Sequence, residues 1–533
     1  IDNDGDLDLV AADNWTDEML IYFNDGSDDP FSSYINAPAF PVLDPAGSTI
    51  DSIVLEDING DGLVDILVGT RQYPISNATL FTNSGTYPYF SGTGTVVATA
   101  DRGDSNIYTQ VYTSDFAVGD IDHDGDKDVV IGTYHRDMIL VNNGTAAPFS
   151  DANQVILPTV DGTDSLQLGD MNNDGLLDLV VGNGTSVSPS TTKNYYYINN
   201  GTGNPFNTAI QLGSQSNQTE KVVLVDLNRD GFLDVLLANG NSFGAGALNR
   251  VFFNDGIGDP FDTAIVFDLS ADNLPTTDMV IGDIDHDGKL DILTSQNYGE
   301  RLRMYEYTVG SNPANMTGKD ISQDSYSAWN LALADFDGDG DDDIVVGVEG
   351  VNRLYKNDAA FEAYNSVKIS SMGSAALSTL SVKLGDMDND GDLDAVLGNY
   401  TGSFSNKVQL NNGTDDPFNP LIEQDIGVIT DQAGGVAIGD INNDGWLDVV
   451  SGNYNVSSKV YLNDGNGDLF DGIATQNIGS ETNVWDIRLA DMNNDGLLDV
   501  VTGNFSSSKE NYVYLNTGNP LLHFNAFTRI DTL

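Results

Sequence analysis

Short apolar runs rich in Val, Ile, Leu and Tyr recur along the whole chain, each bounded by Gly, Asn or Asp. Ser114 to Gly119 and Gly435 to Gly439 are examples of a first run, which an acidic segment always follows. A second run comes next, such as Asp178-Leu179-Val180-Val181-Gly182 or Asp448-Val449-Val450-Ser451-Gly452. A variable stretch leads to a third run, Tyr195-Tyr196-Tyr197-Ile198 or Lys459-Val460-Tyr461-Leu462, and a turn to a fourth, Ala209-Ile210-Gln211-Leu212. Such runs, punctuated by turn residues, read as short strands joined by hairpins. No stretch keeps a 3.6-residue period, so the pattern predicts an all-β chain.

The acidic segment sets the phase. The pattern D-x-[D/N]-x-D-G-x-x-D starts at Asp57, Asp120, Asp170, Asp226, Asp283, Asp335, Asp386, Asp440 and Asp491, at intervals of 50 to 63 residues. Ile1 to Asp8 repeat it without the opening aspartate, so the chain begins inside a motif. Four antiparallel strands per unit, here lettered A to D, predict a β-propeller built of about ten consecutive four-stranded blades. One blade cannot bury both of its faces, so neighbours stack on a shared core. About four to eight blades is usual for a ring. One large ring, a smaller ring with extra blades, and an open or incomplete ring are therefore all expectations. The expected blades are 1–46 (lacking strand A), 47–105, 106–160, 161–217, 218–272, 273–324, 325–374, 375–430, 431–480 and 481–533.

Between strands C and D, Asn143-Gly144, Asn200-Gly201, Asp255-Gly256, Asn412-Gly413 and Asp464-Gly465 suit tight hairpins in which both central residues take positive φ. Pro-Phe follows many of them, at Phe149, Phe206, Phe261 and Phe418, and these Phe read as packing residues between blades.

The acidic loop carries the chemistry. Positions 1, 3, 5 and 9 are oxygen donors, position 7 adds a backbone carbonyl, and Gly at position 6 permits the turn around an ion. The donor sets so read are Asp57, Asn59, Asp61, Leu63 and Asp65; Asp120, Asp122, Asp124, Asp126 and Asp128; and Asp170, Asn172, Asp174, Leu176 and Asp178. Asp226, Asn228, Asp230, Phe232 and Asp234 follow, then Asp283, Asp285, Asp287, Lys289 and Asp291, then Asp335, Asp337, Asp339, Asp341 and Asp343. The last three are Asp386, Asp388, Asp390, Asp392 and Asp394; Asp440, Asn442, Asp444, Trp446 and Asp448; and Asp491, Asn493, Asp495, Leu497 and Asp499. The truncated first loop offers Asp2, Asp4, Asp6 and Asp8. Hard oxygen donors in this number suit Ca²⁺, whereas Mg²⁺ demands a tighter octahedron. The loop ends at position 9, lacks the position-12 Glu of an EF-hand and lies between strands, which argues for a structural site. Asn at position 3 keeps the oxygen but loses a charge, so those loops should bind more weakly.

Charge fits this reading. The chain has 81 acidic and 21 basic residues and a formal net charge of −60, and 34 of the acids stand at positions 1, 3, 5 and 9 of the loops. Without cations the clustered carboxylates repel, so metal binding and folding should be coupled. Scarce bases exclude a nucleic-acid partner. The absence of cysteine excludes disulfides and thiolate chemistry. No apolar run approaches the roughly 18 residues of a membrane span, and no signal peptide is expected at the start given.

The repeated Gly-Asp-x-[Asp/Asn]-x-Asp-Gly-x-x-Asp, followed by Val-Val-Gly-Asn and Tyr-Leu-Asn-Asn-Gly, resembles the FG-GAP and VCBS repeats. Gly169 to Asp178 with Val180 to Asn183, and Gly439 to Asp448 with Leu462 to Gly465, carry the resemblance. It implies integrin-α-like blades, Ca²⁺ between strands A and B, and an extracellular or cell-surface setting, often in adhesion or carbohydrate binding. The sixth unit departs from the pattern, with Tyr305-Glu306-Tyr307-Thr308 where the Asn-Gly turn is expected.

Hairpin topology puts the A–B loops and C–D turns at one end of the blades. The B–C loops lie at the other end and vary most. They carry Trp15, Tyr134, His135 and Arg136, Thr185 to Asn194, Asn241 to Asn249, Asn297 and Tyr298, Tyr400 and Tyr454. Aromatics mixed with Asn and Ser suit sugar stacking and hydrogen bonding. Asn-x-Ser/Thr sequons at Asn14, Asn77, Asn143, Asn183, Asn200, Asn217, Asn315, Asn399, Asn412, Asn455 and Asn504 are expected in turns. Enzyme chemistry has little support, with His135, Arg136 and Asp137 as the one polar trio. The leading expectation is a non-enzymatic, Ca²⁺-stabilised extracellular protein that binds glycans or cell-surface proteins. A self-assembling surface layer or extracellular filament, and a lyase-like carbohydrate-active enzyme, are the alternatives.

Overall fold

The computed structural model describes residues 9–12, 18–22, 40–41, 49–72, 76–86, 89–90, 94–100, 111–145, 147–149, 154–184, 193–213, 218–239, 249–256, 260–261, 265–269, 276–284, 290–296, 303–307, 316–321, 328–340, 342–357, 369–400, 405–414, 416–419, 421–466, 469–470, 476–480, 482–492, 495–504, 512–516 and 518. Among the described residues the chain is all-β, a succession of antiparallel sheets in chain order. The fourth unit is representative: Thr163–Gly169, Asp178–Asn183, Tyr195–Tyr197 and Ile210–Gln211 pair in that order as strands A to D. The described strands of the first unit are Leu9–Ala12, Glu18–Tyr22 and Phe40–Pro41, paired in that order. Units 2 and 3 join at an edge where Arg71 pairs with Tyr112 and Gln72 with Val111. Units 7 and 8 share Ile369–Gly385, which is strand D of one and strand A of the next. The architecture is the blade array that the hydrophobic pattern predicts. No helix of the described residues is long and apolar enough to cross a membrane.

Strand B is buried along its whole length in units 3, 4, 8 and 9. It has a strand on each side and a blade on each face, so its sequence is a continuous apolar run without alternation. Stacking, not the single blade, builds the core. Each buried cluster joins two consecutive units; in one, Ile121, Val130, Ile139 and Leu157 of unit 3 meet Leu166, Leu179, Tyr197 and Phe206 of unit 4. Each such aliphatic side chain contributes roughly 1.5–3 kcal/mol when fully buried. The Phe that follows the C–D turn belongs to these seams: Phe261 stands edge-on to Tyr196 of the preceding blade at 5.1 Å, and Phe418 lies 5.8 Å from Phe336. Glycine lets the blades close up. A Cβ on Gly452 would sit 2.6 Å from Val484 Cγ1 of the next strand A.

The C–D turns differ from the hairpin expected. Gly144, Gly201, Gly256, Gly413 and Gly465 have positive φ, but the residues before them do not. The turn is wider, closed by the Asn143 N–H donating to Pro148 O at 3.0 Å and by its counterparts Asn200 to Pro205 and Asn412 to Pro417. The sequons also depart from expectation. Asn77 lies within a strand, Asn183, Asn399 and Asn504 end strands, and Asn183 and Asn399 are buried, so those two are closed to a glycan in the folded chain.

Candidate metal centres and the opposite face

The acidic loop is shaped by its own backbone. In unit 3, Asp120 accepts the N–H groups of Asp124 and Gly125, both at 3.1 Å, and Asp124 accepts that of Asp126 at 3.0 Å. His123 and Gly125 take φ of 63° and 96°, which folds the segment back on itself. The same bonds recur from Asp57, Asp170, Asp226, Asp386, Asp440 and Asp491. An ionised carboxylate has about four acceptor sites, so these bonds leave further lone pairs free for a cation.

Among the described residues, three loops gather carboxylates closely: Asp120, Asp122 and Asp128; Asp335, Asp337 and Asp339; and Asp386, Asp388 and Asp394, with ligand oxygens all within 4.8 Å in each group. Oxygens on opposite sides of one Ca²⁺ lie about 5 Å apart, so each group matches a single ion. Asp122 Oδ1 and Asp388 Oδ1 are buried without a hydrogen-bond partner. Burial, and then the neighbouring Asp124 or Asp390, pushes these two carboxyls above the usual range. A cation at that point would satisfy the orphaned oxygen and reverse the repulsion. In the group of Asp335, Asp337 and Asp339, Lys356 Nζ lies 2.7 Å from Asp337 and already supplies some positive charge.

Loops with Asn at position 3 behave differently. The amides of Asn172, Asn228 and Asn442 donate to Asp174, Asp230 and Asp444 at 3.0, 2.9 and 2.8 Å, so the loop partly neutralises itself. Asp2, Asp4, Asp6, Asp8, Asp285, Asp287, Lys289, Asp341 and Asn493 lie outside the described residues. At position 7, Trp446 covers the C–D glycine of its own blade: a Cβ on Gly465 would be 2.2 Å from Trp446 Cε2.

Position 9 has a second role that the motif alone does not reveal. Asp128 is wholly buried; its Oδ2 accepts the Ile121 N–H at 2.8 Å and its Oδ1 that of Asn142 at 2.8 Å, tying loop to C–D turn. Burial pushes Asp128 and Asp178 up to about 6, and Asp234, Asp343, Asp394, Asp448 and Asp499 up to about 7. Asn142 in turn reaches across the seam. Its Nδ2 donates to Ile58 O of the preceding loop at 2.7 Å and to Lys127 O at 3.0 Å, and its Oδ1 accepts the Gly144 N–H at 3.0 Å. Asn199, Asn254, Asn357, Asn411, Asn463 and Asn516 make the same cross-blade bond to Ile121, Met171, Ile284, Phe336, Met387 and Ile441. In the sixth unit Tyr307 occupies this register position. There the Leu227 carbonyl is met by the Leu290 backbone N–H at 3.3 Å.

At the opposite end another polar contact crosses the seams. Asn194 accepts the Asn183 N–H at 2.8 Å and donates to Thr219 Oγ1 of the next blade at 2.8 Å; Asn352 does the same with Val348 and Thr379. Unit 3 has Asp137 at this place, accepting the Thr133 N–H at 2.8 Å and meeting Thr163 Oγ1 at 2.8 Å. Burial raises Asp137 to about 7. It belongs to the seam, separated in role from His135 and Arg136, whose backbone N–H groups are held by Thr133 Oγ1 at 3.1 and 3.0 Å. Tyr400 and Tyr454 come together, with ring centroids 5.4 Å apart, and Trp485 joins them at 5.8 Å from Tyr400. Trp15, Thr185, Asn241, Asn297 and Tyr298 lie outside the described residues.

The sequence profile described as FG-GAP-like repeat matches residues 1–68, 57–131, 120–181, 226–294, 335–397, 386–451 and 440–502. No curated protein matches the chain. Among solved structures, the chain is similar to BBS1N in complex with ARL6DN, in crystals soaked with lead and with mercury. Identity is 10% and 9%, and the TM-score is 0.29 for both. Each alignment covers 66% of this chain and 89% of the other.

Proposed function

The chain belongs to the FG-GAP-like repeat family, and from that premise we propose that it is a Ca²⁺-stabilised extracellular scaffold, non-enzymatic, that binds glycans or surface proteins. The observation that carries the metal part is the pair of buried, unpartnered oxygens, Asp122 Oδ1 and Asp388 Oδ1, each inside a group of three carboxylates. Ca²⁺ would be held by positions 1, 3, 5 and 9 of the loops, with the position 7 carbonyl, and would supply charge neutralisation at the C–D end of each blade. The chain's own groups fix the loop through N–H bonds to positions 1, 5 and 9. The opposite end is then free to differ from blade to blade and to recognise partners. The non-enzymatic part is supported by Asp137 being engaged in a seam, away from any work with His135 and Arg136. Propeller repeats commonly present surfaces for interaction, as rigid arrays with variable loops do.

Two measurements test the proposal. Metal analysis of protein dialysed in Ca²⁺ buffer should find several equivalents per chain, lost to EDTA. A glycan array spanning neutral and charged structures should give binding in Ca²⁺ that EDTA abolishes. Absence of bound metal overturns the first half; silence across the array and against extracellular-matrix proteins overturns the second.

A further inference from the structure

Three consecutive blades bring one aromatic side chain each to a common point. Tyr400 follows strand B of unit 8, Tyr454 follows strand B of unit 9, and Trp485 is the second residue of strand A of unit 10, Val484–Ala490. Tyr400 stands between the other two, its ring inclined 64° to Tyr454 and 67° to Trp485. The trio is thus a corner and not a flat stack. Trp485 is 43% exposed and the two tyrosines are half-buried.

The corner is held from behind. The Tyr400 N–H donates to Ser378 O at 2.9 Å, the Tyr454 N–H to Gln432 O at 2.8 Å, and the Asn483 N–H to Tyr454 O at 2.7 Å. At its margin the exposed amide of Asn455 bonds the side chain of Gln432. The rings are therefore placed in advance, so a ligand would bear little of the ordering cost.

We infer that this corner is the seat of a neutral sugar ring within a glycan or polysaccharide. The inference rests on the glycan-binding reading and deepens it. A pyranose offers a C–H face to an accessible indole and hydroxyls to amide and phenol groups at the rim, which is the composition found here. A formal net charge of −60 works against acidic sugars approaching this chain. A folded protein partner would need roughly 800 Å² on each side, far more than three rings provide.

The full chain in Ca²⁺ is titrated with cellohexaose, laminarihexaose and mannohexaose, reading tryptophan fluorescence, and is run in affinity gels containing galactomannan or polygalacturonate. Wild type should bind at least one neutral probe with a change in tryptophan emission. Trp485→Ala should weaken that binding roughly tenfold or more, and Trp485→Phe should recover part of it. Tyr454→Ala is the second variant, and unchanged thermal melting in Ca²⁺ shows that each variant is folded. Neutral-sugar binding undiminished in both alanine variants overturns this seat and leaves the glycan reading standing. Binding of polygalacturonate alone overturns the neutral-sugar assignment. Failure of wild type on every probe overturns the seat, and silence on the wider array then overturns the glycan reading as well.

Discussion

Replacing Asn463 by Ala removes one cross-blade hook and nothing of the acidic loop. The side chain donates to Met387 O of the preceding blade at 2.6 Å and to Leu447 O at 3.1 Å, and accepts the Gly465 N–H at 3.0 Å. The Asn463 backbone N–H to Asp448 Oδ1, at 2.7 Å, does not depend on the side chain and is kept in the alanine variant. Each lost bond costs about 0.5–1.5 kcal/mol net, and more where a buried group is left unsatisfied. Three bonds in a buried place therefore predict a loss of about 3 kcal/mol. Asn463→Asp keeps the acceptor but sets carboxylate oxygen against two carbonyls, so it should cost at least as much. The array need not unfold in one step, so amide hydrogen exchange in saturating Ca²⁺ is the measure. Exchange should accelerate in peptides covering 384–398 and 458–464 and stay unchanged in units 3 to 5. A loss below about 0.5 kcal/mol, or one spread evenly over the chain, would refute the reasoning.

The seam between units 5 and 6, lacking the Asn, should open first in limited proteolysis or exchange, and Tyr307→Asn should raise protection there; cleavage starting elsewhere contradicts this. Asp137 titrates near 7 when folded against 3.8 unfolded, so the folded state holds the extra proton and stability falls as pH rises between those values. Asp137→Asn, which copies Asn194 and Asn352, should raise the melting temperature at pH 8, change little at pH 4 and flatten the pH dependence; parallel pH curves for both proteins would argue against it. Asp122→Asn should have opposite effects in the two metal states. It should stabilise the chain in EDTA by relieving repulsion and weaken Ca²⁺ binding, as calorimetry would record; the same sign in both states would defeat the metal reading.

Much of this was legible in the residues because the acidic loop is local: the bonds that fold Asp120 to Asp128 back on themselves lie within nine positions, so the pattern already contains its own geometry. The hooks were not, although Asn142, Asn199 and Asn411 each sit just before a visible Asn-Gly pair. Asn142 finds Ile58 O 84 residues away, and nothing local distinguishes it from Asn143, which closes the turn. Tyr400 and Tyr454 could be picked out singly. Their meeting followed from equal offsets after Asp394 and Asp448, a signal present in the sequence, whereas Trp485 enters from strand A and gave none. Adjacency misled at Asp137: it stands next to His135 and Arg136 along the chain, yet its carboxyl is given to Thr163 of the following blade.

The hooks always point backward, and always by nearly the same stretch, 73 to 84 residues. Entropic cost of closure depends on that stretch and not on total length, so the hundredth residue and the five-hundredth are equally easy to secure. A nascent chain leaving the ribosome can fasten each leaf as soon as the next one's third strand emerges. Duplicating or deleting a unit in evolution would then leave the remaining fastenings intact, which makes chain length a freely adjustable quantity.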